Sequence, residues 1–260
     1  MSGWSATSRC CGTPERRAPV DDWLLSDNEF VSYGLSHAVA AVAFVVGAWA
    51  VVRVGRSHRG TATAERFSRA FAVTIVAVMV SLSLGDLLLR GYNVHVHLPI
   101  QLCDLAWMVS AYALWTRRRL AVAVTYFWGL SLTSQALLTP SLDVGFPHVG
   151  FLVFWAGHLL IIWAAIYLTW GLGYAPDWPR YRGAVLLTAV WAVSIFAVNG
   201  LLDTNYGFLN AKPKDASALD LLGPWPWYVL WEVVIVLVAW ALMTWPWVRR
   251  RRPAVTTRTA

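Results

Sequence analysis

Cys103 and His158 are the two residues of this chain whose side chains could perform nucleophilic chemistry together. A thiol becomes a strong nucleophile when an imidazole accepts its proton, and a thioester then divides acyl transfer into two easier steps. In this role His158 acts first as a base and then as an acid. The pair predicts acyl-transfer chemistry if the fold brings the two side chains within about 5 Å of each other.

Other polar residues occur at the same end of the apolar segments that carry this pair. Ionisable groups in hydrocarbon cost about 2.5–3.5 kcal/mol each on insertion scales, so they normally face a bundle interior or a wet cavity. A single one has a simpler explanation, since it can snorkel to the interface or bridge two helices. As a set they predict one shared pocket, with Asp86, Gln135, His158, Asn199 and Glu232 projecting inward around it.

The connection between the second and third apolar segments reads GYNVHVHLPIQLCD. Pro99 suits a first helical turn, where its missing N–H would have no partner anyway. Cys103 is therefore expected about one turn into a helix, where the partial positive charge of the helix N-terminus favours a thiolate. Asp104 opposes that effect. His97 and Gln101 precede the thiol and are candidate supporting residues.

Two further connections at this end contribute candidates. His148 lies ten residues before His158, about 80° away around a helix, and is the second candidate for the base. The connection after the sixth segment is long and rich in Gly, Pro and aromatic residues, which is typical of a lid over the site, although its aromatic residues also fit an interfacial belt. Gln135 and Asn199 are candidate oxyanion donors, since side-chain amides serve that role elsewhere. Asn205 and Lys212 complete the set, the latter as a contact for phosphate head groups.

Seven segments of the chain are apolar enough to cross a bilayer, each near the roughly 20 residues that its core requires. The chain of 260 residues is 58% hydrophobic and 13% charged, which predicts an all-α, polytopic membrane helix bundle in a single domain. We expect residues 1–33 to form a partly disordered extracytoplasmic tail, residues 34–248 the seven-helix membrane domain and residues 249–260 a basic cytoplasmic tail. The segments span roughly residues 34–54, 70–90, 98–116, 120–138, 150–170, 182–203 and 226–247.

The basic residues indicate the orientation of the bundle. Alternate connections carry fifteen Lys and Arg on one side and six on the other. By the positive-inside rule the richer side is cytoplasmic, which places the N-terminus outside and the C-terminus inside. The net charge of +7 is therefore a topology signal rather than a sign of nucleic-acid binding. We expect a multi-pass protein of the cell membrane whose partners are membrane phospholipids; the oligomeric state stays open.

Several rare strings make the chain similar to a known family. They are HLPIQLCD, YFWGLSLTSQALLTPSLDVGFPH with a histidine ten residues after its last, and NYGFLNAKP followed by LLGPWPWY. Together they resemble YwaF-type bacterial integral membrane proteins, which are similar to the eukaryotic transmembrane protein 164 family. That resemblance implies acyl transfer between phospholipids with a catalytic cysteine and histidine, which match Cys103 and His158, with His148 second. SLTSQ stands where a glycine-containing stretch is expected, which affects helix packing near Gln135.

The leading interpretation is thus a lipid acyltransferase or hydrolase that needs no cofactor. A metal-dependent intramembrane hydrolase is the rival enzyme, because His95, His97, His148, His158 and several carboxylates are suitable zinc ligands. No H-x-x-x-H spacing occurs within a span to support it. A non-enzymatic binding or transport protein is the third alternative, although no internal repeat is evident.

Overall fold

In a computed structural model, the described part of the protein is a bundle of seven long helices. The structure describes residues 29–140, 142, 144–213 and 218–250, and in these ranges it contains helices and connections but no strand. Short 3-10 turns at Tyr206–Phe208 and Ala218–Leu222 lie between the last two long helices. The helices are α1 Leu35–Ser57, α2 Ala62–Arg90, α3 Leu102–Thr116, α4 Arg119–Leu138, α5 Val149–Gly171, α6 Trp178–Leu202 and α7 Trp227–Arg250.

The all-α polytopic prediction is confirmed. Six of the seven helices are long and apolar enough to cross a membrane, and α3, with 15 residues, is the exception. The prediction for α3 was wrong by about one turn, because this helix begins at Leu102 rather than at residue 98. The orientation of the termini stays a prediction. The tails predicted for residues 1–33 and 249–260 lie mostly outside the described residues, as do Cys10, Cys11 and Lys214, and α7 continues to Arg250.

The central helix of the bundle is α5. Of its most apolar window, 61% is buried inside the protein, against 11–17% for α1, α2, α6 and α7. The outer helices therefore present their apolar faces to lipid, and side chains such as Val42, Val46 and Trp49 are exposed. A residue on α5 is consequently surrounded by other helices, which suits a polar group that must avoid hydrocarbon.

Helices α4 and α5 each contain a π-helical turn. The turn at Trp128–Leu132 lies inside α4, and the turn at Tyr167–Gly171 ends α5. A π turn adds one residue to the helical repeat, so the side chains that follow it point about 100° away from the direction that an unbroken α-helix predicts. In α4 this change of direction affects the residues from Thr133 onward, including Gln135.

Close approach of α1 and α5 brings two glycines together. A Cβ atom on Gly55 would meet the Cα atom of Gly171 at 2.5 Å, so only hydrogen fits there. Arg59 follows the end of α1 and donates hydrogen bonds to the carbonyls of Gly171 and Trp170 at the end of α5. The contact fixes the depth of α5, and thereby of His158, relative to its neighbours.

Candidate functional site

Cys103 is the second residue of α3 and lies in its first turn. The backbone of Gln101, the residue before the helix, is extended, and its side chain does not cap the helix. The first N–H groups of a helix lack intrahelical acceptors, so an N-terminus without a side-chain cap keeps donors and partial positive charge beside the thiol. Pro99 precedes the helix instead of occupying its first turn, and Cys103 is closer to the end than expected.

His158 brings its imidazole to this thiol from α5. Its Nε2 lies 3.5 Å from Cys103 Sγ, so the predicted approach within about 5 Å is confirmed. Its Nδ1 lies 2.6 Å from the carbonyl oxygen of Phe154. A carbonyl oxygen can only accept, so Nδ1 carries the hydrogen and Nε2 has a lone pair for the thiol proton. This tautomer is the one that a base acting on Cys103 requires.

The two members of the pair differ in exposure. The side chain of His158 is buried at 8% exposure, whereas Cys103 is exposed. Cys103 thus lies at a helix end that is open to the surroundings, while the imidazole of His158 lies inside the bundle.

His148 has a different position. Its Nδ1 accepts the N–H of Gly150 at 3.0 Å and caps the start of α5. The same residue accepts the N–H of Leu152 through its carbonyl. One ring nitrogen of His148 is thus engaged in forming the helix that carries His158. Its position favours His158 as the base and gives His148 a structural role.

Two residues beside the thiol tie α3 to its surroundings. Gln101 Oε1 accepts the N–H of Gly207 from the connection between α6 and α7, at 3.1 Å. Asp104 accepts a hydrogen bond from the backbone of Gln101, which returns its carboxylate to the helix start. Both residues were predicted as supporting residues, and both lie within three positions of Cys103.

Asp86 and His97 form a pair at the end of α2. His97 Nε2 lies 3.2 Å from Asp86 Oδ2, and Arg90 Nη1 lies 3.4 Å from Asp86 Oδ1. His97 Nδ1 accepts the N–H of Asn93 at 2.9 Å, so Nε2 donates to the carboxylate. The pair fixes the shape of the connection that leads to Cys103.

Tyr206 is the residue of this region that sequence reasoning missed. Its hydroxyl donates to the carbonyl of Val94 and accepts the N–H of Leu98 at 3.2 Å. Burial raises the pKa of Tyr206, so the phenol stays protonated and can donate. Trp191 adds a bond from Nε1 to the carbonyl of Ile100 at 3.0 Å. The string NYGFLN was the available signal, but its partners are more than 100 residues away.

Asn199 and Asn205 organise the connection between α6 and α7. Asn199 is buried at 2% exposure; its amide donates to Tyr206 O and Asn210 Oδ1, and its Oδ1 accepts from Thr204 and Tyr206. Both hydrogens of this amide are engaged, so Asn199 anchors the loop and is not an oxyanion donor. Asn205 Oδ1 similarly accepts the N–H groups of Asn210 and Ala211.

Gln135 was predicted to project into the shared pocket, but this residue is exposed, so the prediction was wrong for Gln135. The expectation rested on the cost of a polar group in hydrocarbon, and the π turn that precedes Gln135 in α4 changes the direction of its side chain. Glu232 is half-buried beside Tyr228 on α7. Lys212 Nζ lies 3.4 Å from Asp220 Oδ1 and faces the ring of Tyr228 at 5.8 Å.

No group of three or more His, Cys, Asp or Glu side chains is arranged to hold a metal ion within the described part of the chain. The histidines named for a zinc site are instead engaged separately, His97 with Asp86 and His148 at the start of α5. The metal-dependent interpretation therefore has no ligand set among these residues.

The sequence matches the model of the TMEM164 family over residues 32–244. The match includes α1 to α6 in full and α7 as far as Thr244, as well as Cys103 and His158. It confirms the resemblance carried by the strings around these residues. No curated protein and no solved structure matches the chain.

Proposed function

The chain belongs to the TMEM164 family and is an integral membrane protein, and we propose that it transfers or hydrolyses lipid acyl chains through a thioester on Cys103. The observation that carries this proposal is the 3.5 Å approach of His158 Nε2 to Cys103 Sγ, with Nδ1 held by Phe154. The substrates are phospholipids of the surrounding membrane, which we propose to be the cell membrane.

In the first step His158 Nε2 removes the thiol proton as Sγ attacks the carbonyl carbon of an acyl ester. A carbon–sulfur bond forms, and the carbonyl electrons move to oxygen. Collapse of this tetrahedral species breaks the bond between the carbonyl carbon and the ester oxygen. The leaving oxygen takes the proton from His158, and a lysolipid departs from the acyl-enzyme.

In the second step the acceptor is the hydroxyl of another lipid or a water molecule. His158 Nε2 takes the acceptor's proton as its oxygen attacks the thioester carbonyl. The carbon–sulfur bond breaks, and the proton returns from His158 to Cys103. A lipid acceptor completes acyl transfer, whereas water gives hydrolysis. Both outcomes use the same pair and need no cofactor.

The start of α3 supplies the stabilisation of the oxyanion. The backbone N–H groups of Cys103 and Asp104 belong to the first turn, where helix geometry provides no intrahelical acceptor. Donors aimed at a developing oxyanion contribute about 3–4 kcal/mol each in other acyl-transfer enzymes. We assign the role to these backbone groups because Asn199 is engaged elsewhere and Gln135 is exposed.

The connection between α6 and α7 acts as the support of the site in this proposal. Gly207 holds Gln101, and Tyr206 holds the segment from Val94 to Leu98, so the loop contacts the chain on the N-terminal side of Cys103. A displaced loop would release the start of α3 and with it the backbone donors. This gives the predicted lid a positioning role next to the nucleophile.

Mass spectrometry of the purified protein tests the proposal. After incubation with phospholipid, intact protein should carry the mass of an acyl chain, and digestion should place it on Cys103. Hydroxylamine should remove the adduct, since thioesters react with it. Cys103→Ser and His158→Ala should each abolish acyl transfer while circular dichroism stays unchanged. A Cys103→Ser protein with full activity would exclude the covalent mechanism and favour a binding function.

A further inference from the structure

A polar cavity lies at the opposite end of the bundle from Cys103. It has a volume of about 590 Å³ and lies where α1, α5 and α7 end. Thr169, on its wall, is eleven residues after His158 on α5, which corresponds to about 16 Å along the helix axis. The cavity is therefore separate from the catalytic pair. Its polar and aromatic lining consists of Arg56, Arg59, Thr169, Trp170, Trp247 and Arg250.

The lining of this cavity is strongly basic. It contains three arginines and, among its lining residues, no carboxylate. Arg56 Nε donates to the carbonyl of Trp170 at 3.3 Å, and Arg59 donates to the carbonyls of Trp170 and Gly171. These acceptors orient the guanidinium groups but are neutral. The partial negative charge of about −0.5 at the C-terminal end of α5 offsets only a small part of the charge of the three arginines, so the cavity stays strongly positive.

Thr169 adds an unsatisfied hydrogen-bonding group to this wall. Its side chain is 1% exposed, and its Oγ1 has no hydrogen-bond partner among the residues that the structure describes. Buried polar groups are nearly always paired, so an unpaired hydroxyl on a residue that lines the cavity indicates a ligand that accepts or donates there. The hydroxyl lies in the π turn that ends α5, a type of irregularity that is frequent at functional sites.

Two tryptophans indicate the depth of the cavity in the membrane. The rings of Trp170 and Trp247 have centroids 5.8 Å apart. Tryptophan is enriched at the membrane–water interface, and the arginines lie at or just beyond the ends of their helices. The cavity thus opens where lipid head groups lie. The planar guanidinium group of arginine can donate two parallel hydrogen bonds to the oxygens of a phosphate group. Basic pockets between membrane helices bind anionic head groups.

We propose that this cavity binds a phosphate group, carried by an anionic phospholipid head group or by a soluble phosphate. Arg56, Arg59 and Arg250 supply the positive charge, and Thr169 supplies a hydroxyl for one phosphate oxygen. The apolar walls of the bundle beside the cavity accommodate acyl chains when the phosphate belongs to a lipid. The site does not depend on the function of Cys103.

Native mass spectrometry of the full chain in a neutral detergent tests the site, with phosphatidylglycerol and phosphatidylcholine as the probes. The wild type should retain phosphatidylglycerol in preference to phosphatidylcholine. Arg56→Gln/Arg250→Gln should weaken phosphatidylglycerol binding at least about tenfold, because hydrogen bonds to charged groups are among the strongest. Thr169→Val, which keeps all charges, should weaken it about threefold, as expected for one neutral hydrogen bond.

The matched control is Arg53→Gln/Arg249→Gln. It removes the same charge at the same end of the same two helices, but its arginines lie over Trp49 and Trp245 rather than in the cavity. Its binding should stay within about twofold of the wild type, since exposed charges outside the site are screened. Equal weakening in both double variants would show general surface attraction and overturn the proposal, as would unchanged binding in the cavity variant.

Inorganic phosphate and diphosphate distinguish the two sources of the phosphate group. If neither displaces bound phosphatidylglycerol, the ligand is a lipid head group. If either anion displaces phosphatidylglycerol, and Arg56→Gln/Arg250→Gln also weakens binding of that anion, the ligand is a soluble phosphate. Absence of binding by every probe to the wild type would overturn the proposal. Comparison of wild-type and variant melting temperatures separates lost binding from lost folding, and Thr169→Val is the variant that perturbs the fold least.

Discussion

The exposed thiol of Cys103 lies 3.5 Å from the Nε2 atom of His158, whose side chain is buried. Cys103 thus lies at the surface of the bundle, while the imidazole of His158 is held inside it by a hydrogen bond to Phe154. In the proposed mechanism, sulfur accepts an acyl group without disturbing the nitrogen that moves the proton. This division of exposure suits a substrate that stays in the membrane.

The first prediction concerns the reactivity of Cys103. His158→Ala should slow alkylation of this thiol by iodoacetamide about tenfold or more, because general bases contribute about 100-fold or more to comparable proton transfers. Labelling is followed on the Cys103 peptide by mass spectrometry, in a chain with Cys10 and Cys11 replaced by serine.

His148→Ala is the control for this experiment. It removes the cap of α5 and should cost about 1 kcal/mol of stability, as loss of other N-caps does. The alkylation rate should stay within about twofold of the wild type, since His158 remains in place. Greater slowing by His148→Ala than by His158→Ala would reverse the assignment of the base.

The second prediction concerns Asn199. Asn199→Ala should lower the free energy of unfolding by about 3 kcal/mol, because the buried residues Thr204 and Tyr206 lose their bonds to its amide and each unsatisfied group costs about 1–3 kcal/mol. Thermal unfolding in detergent, followed by circular dichroism, measures the change.

Asn205→Ala is the matched change in the same loop. Asn205 is less buried, so water can replace its partners, and the cost should be below about 1 kcal/mol. Equal destabilisation by the two substitutions would show that burial of Asn199 does not decide the stability of this connection.

The sequence allowed prediction of the helices and of the Cys103–His158 approach because both depend on local signals. Long apolar runs give the helices, and the cost of polar groups in hydrocarbon predicts that a histidine within a span faces the interior. His158 satisfies that rule on the most buried helix. Its contact with a thiol from another helix required, in addition, that both residues lie at the same depth.

The start of α3 and the direction of Gln135 could not be predicted from local signals. Tyr206 and Trp191 hold the carbonyls of Val94 and Ile100 from distant parts of the chain, and such competition for backbone groups is invisible in a hydropathy pattern. Gln135 follows a π turn, which changes the helical period without a distinctive residue type. Asn199 was correctly identified as unusual, but its partners show that it organises a loop.

The third prediction compares two glycines. Gly55→Ala should destabilise the protein by about 1–3 kcal/mol, because a methyl group there meets the backbone of Gly171 at 2.5 Å. Gly85→Ala on α2 should instead stabilise it by up to about 1 kcal/mol, since nothing lies within 4 Å and alanine favours the helix. Melting temperatures of the two variants measure the difference. A stable Gly55→Ala protein would contradict the tight contact of α1 with α5.

The last prediction concerns the side of the membrane that Cys103 faces. In the order of the predicted spans, fifteen of the 21 Lys and Arg residues of the sequence fall on the side opposite Cys103, so that side should be cytoplasmic. A reporter that is active only in the cytoplasm should work when fused after Arg119 and fail when fused after Gly145. Expression of both fusions is compared by immunoblot, so that a silent reporter is not mistaken for a missing one. Activity after Gly145 would place the thiol on the cytoplasmic side, and the acyl substrate would then come from the inner leaflet.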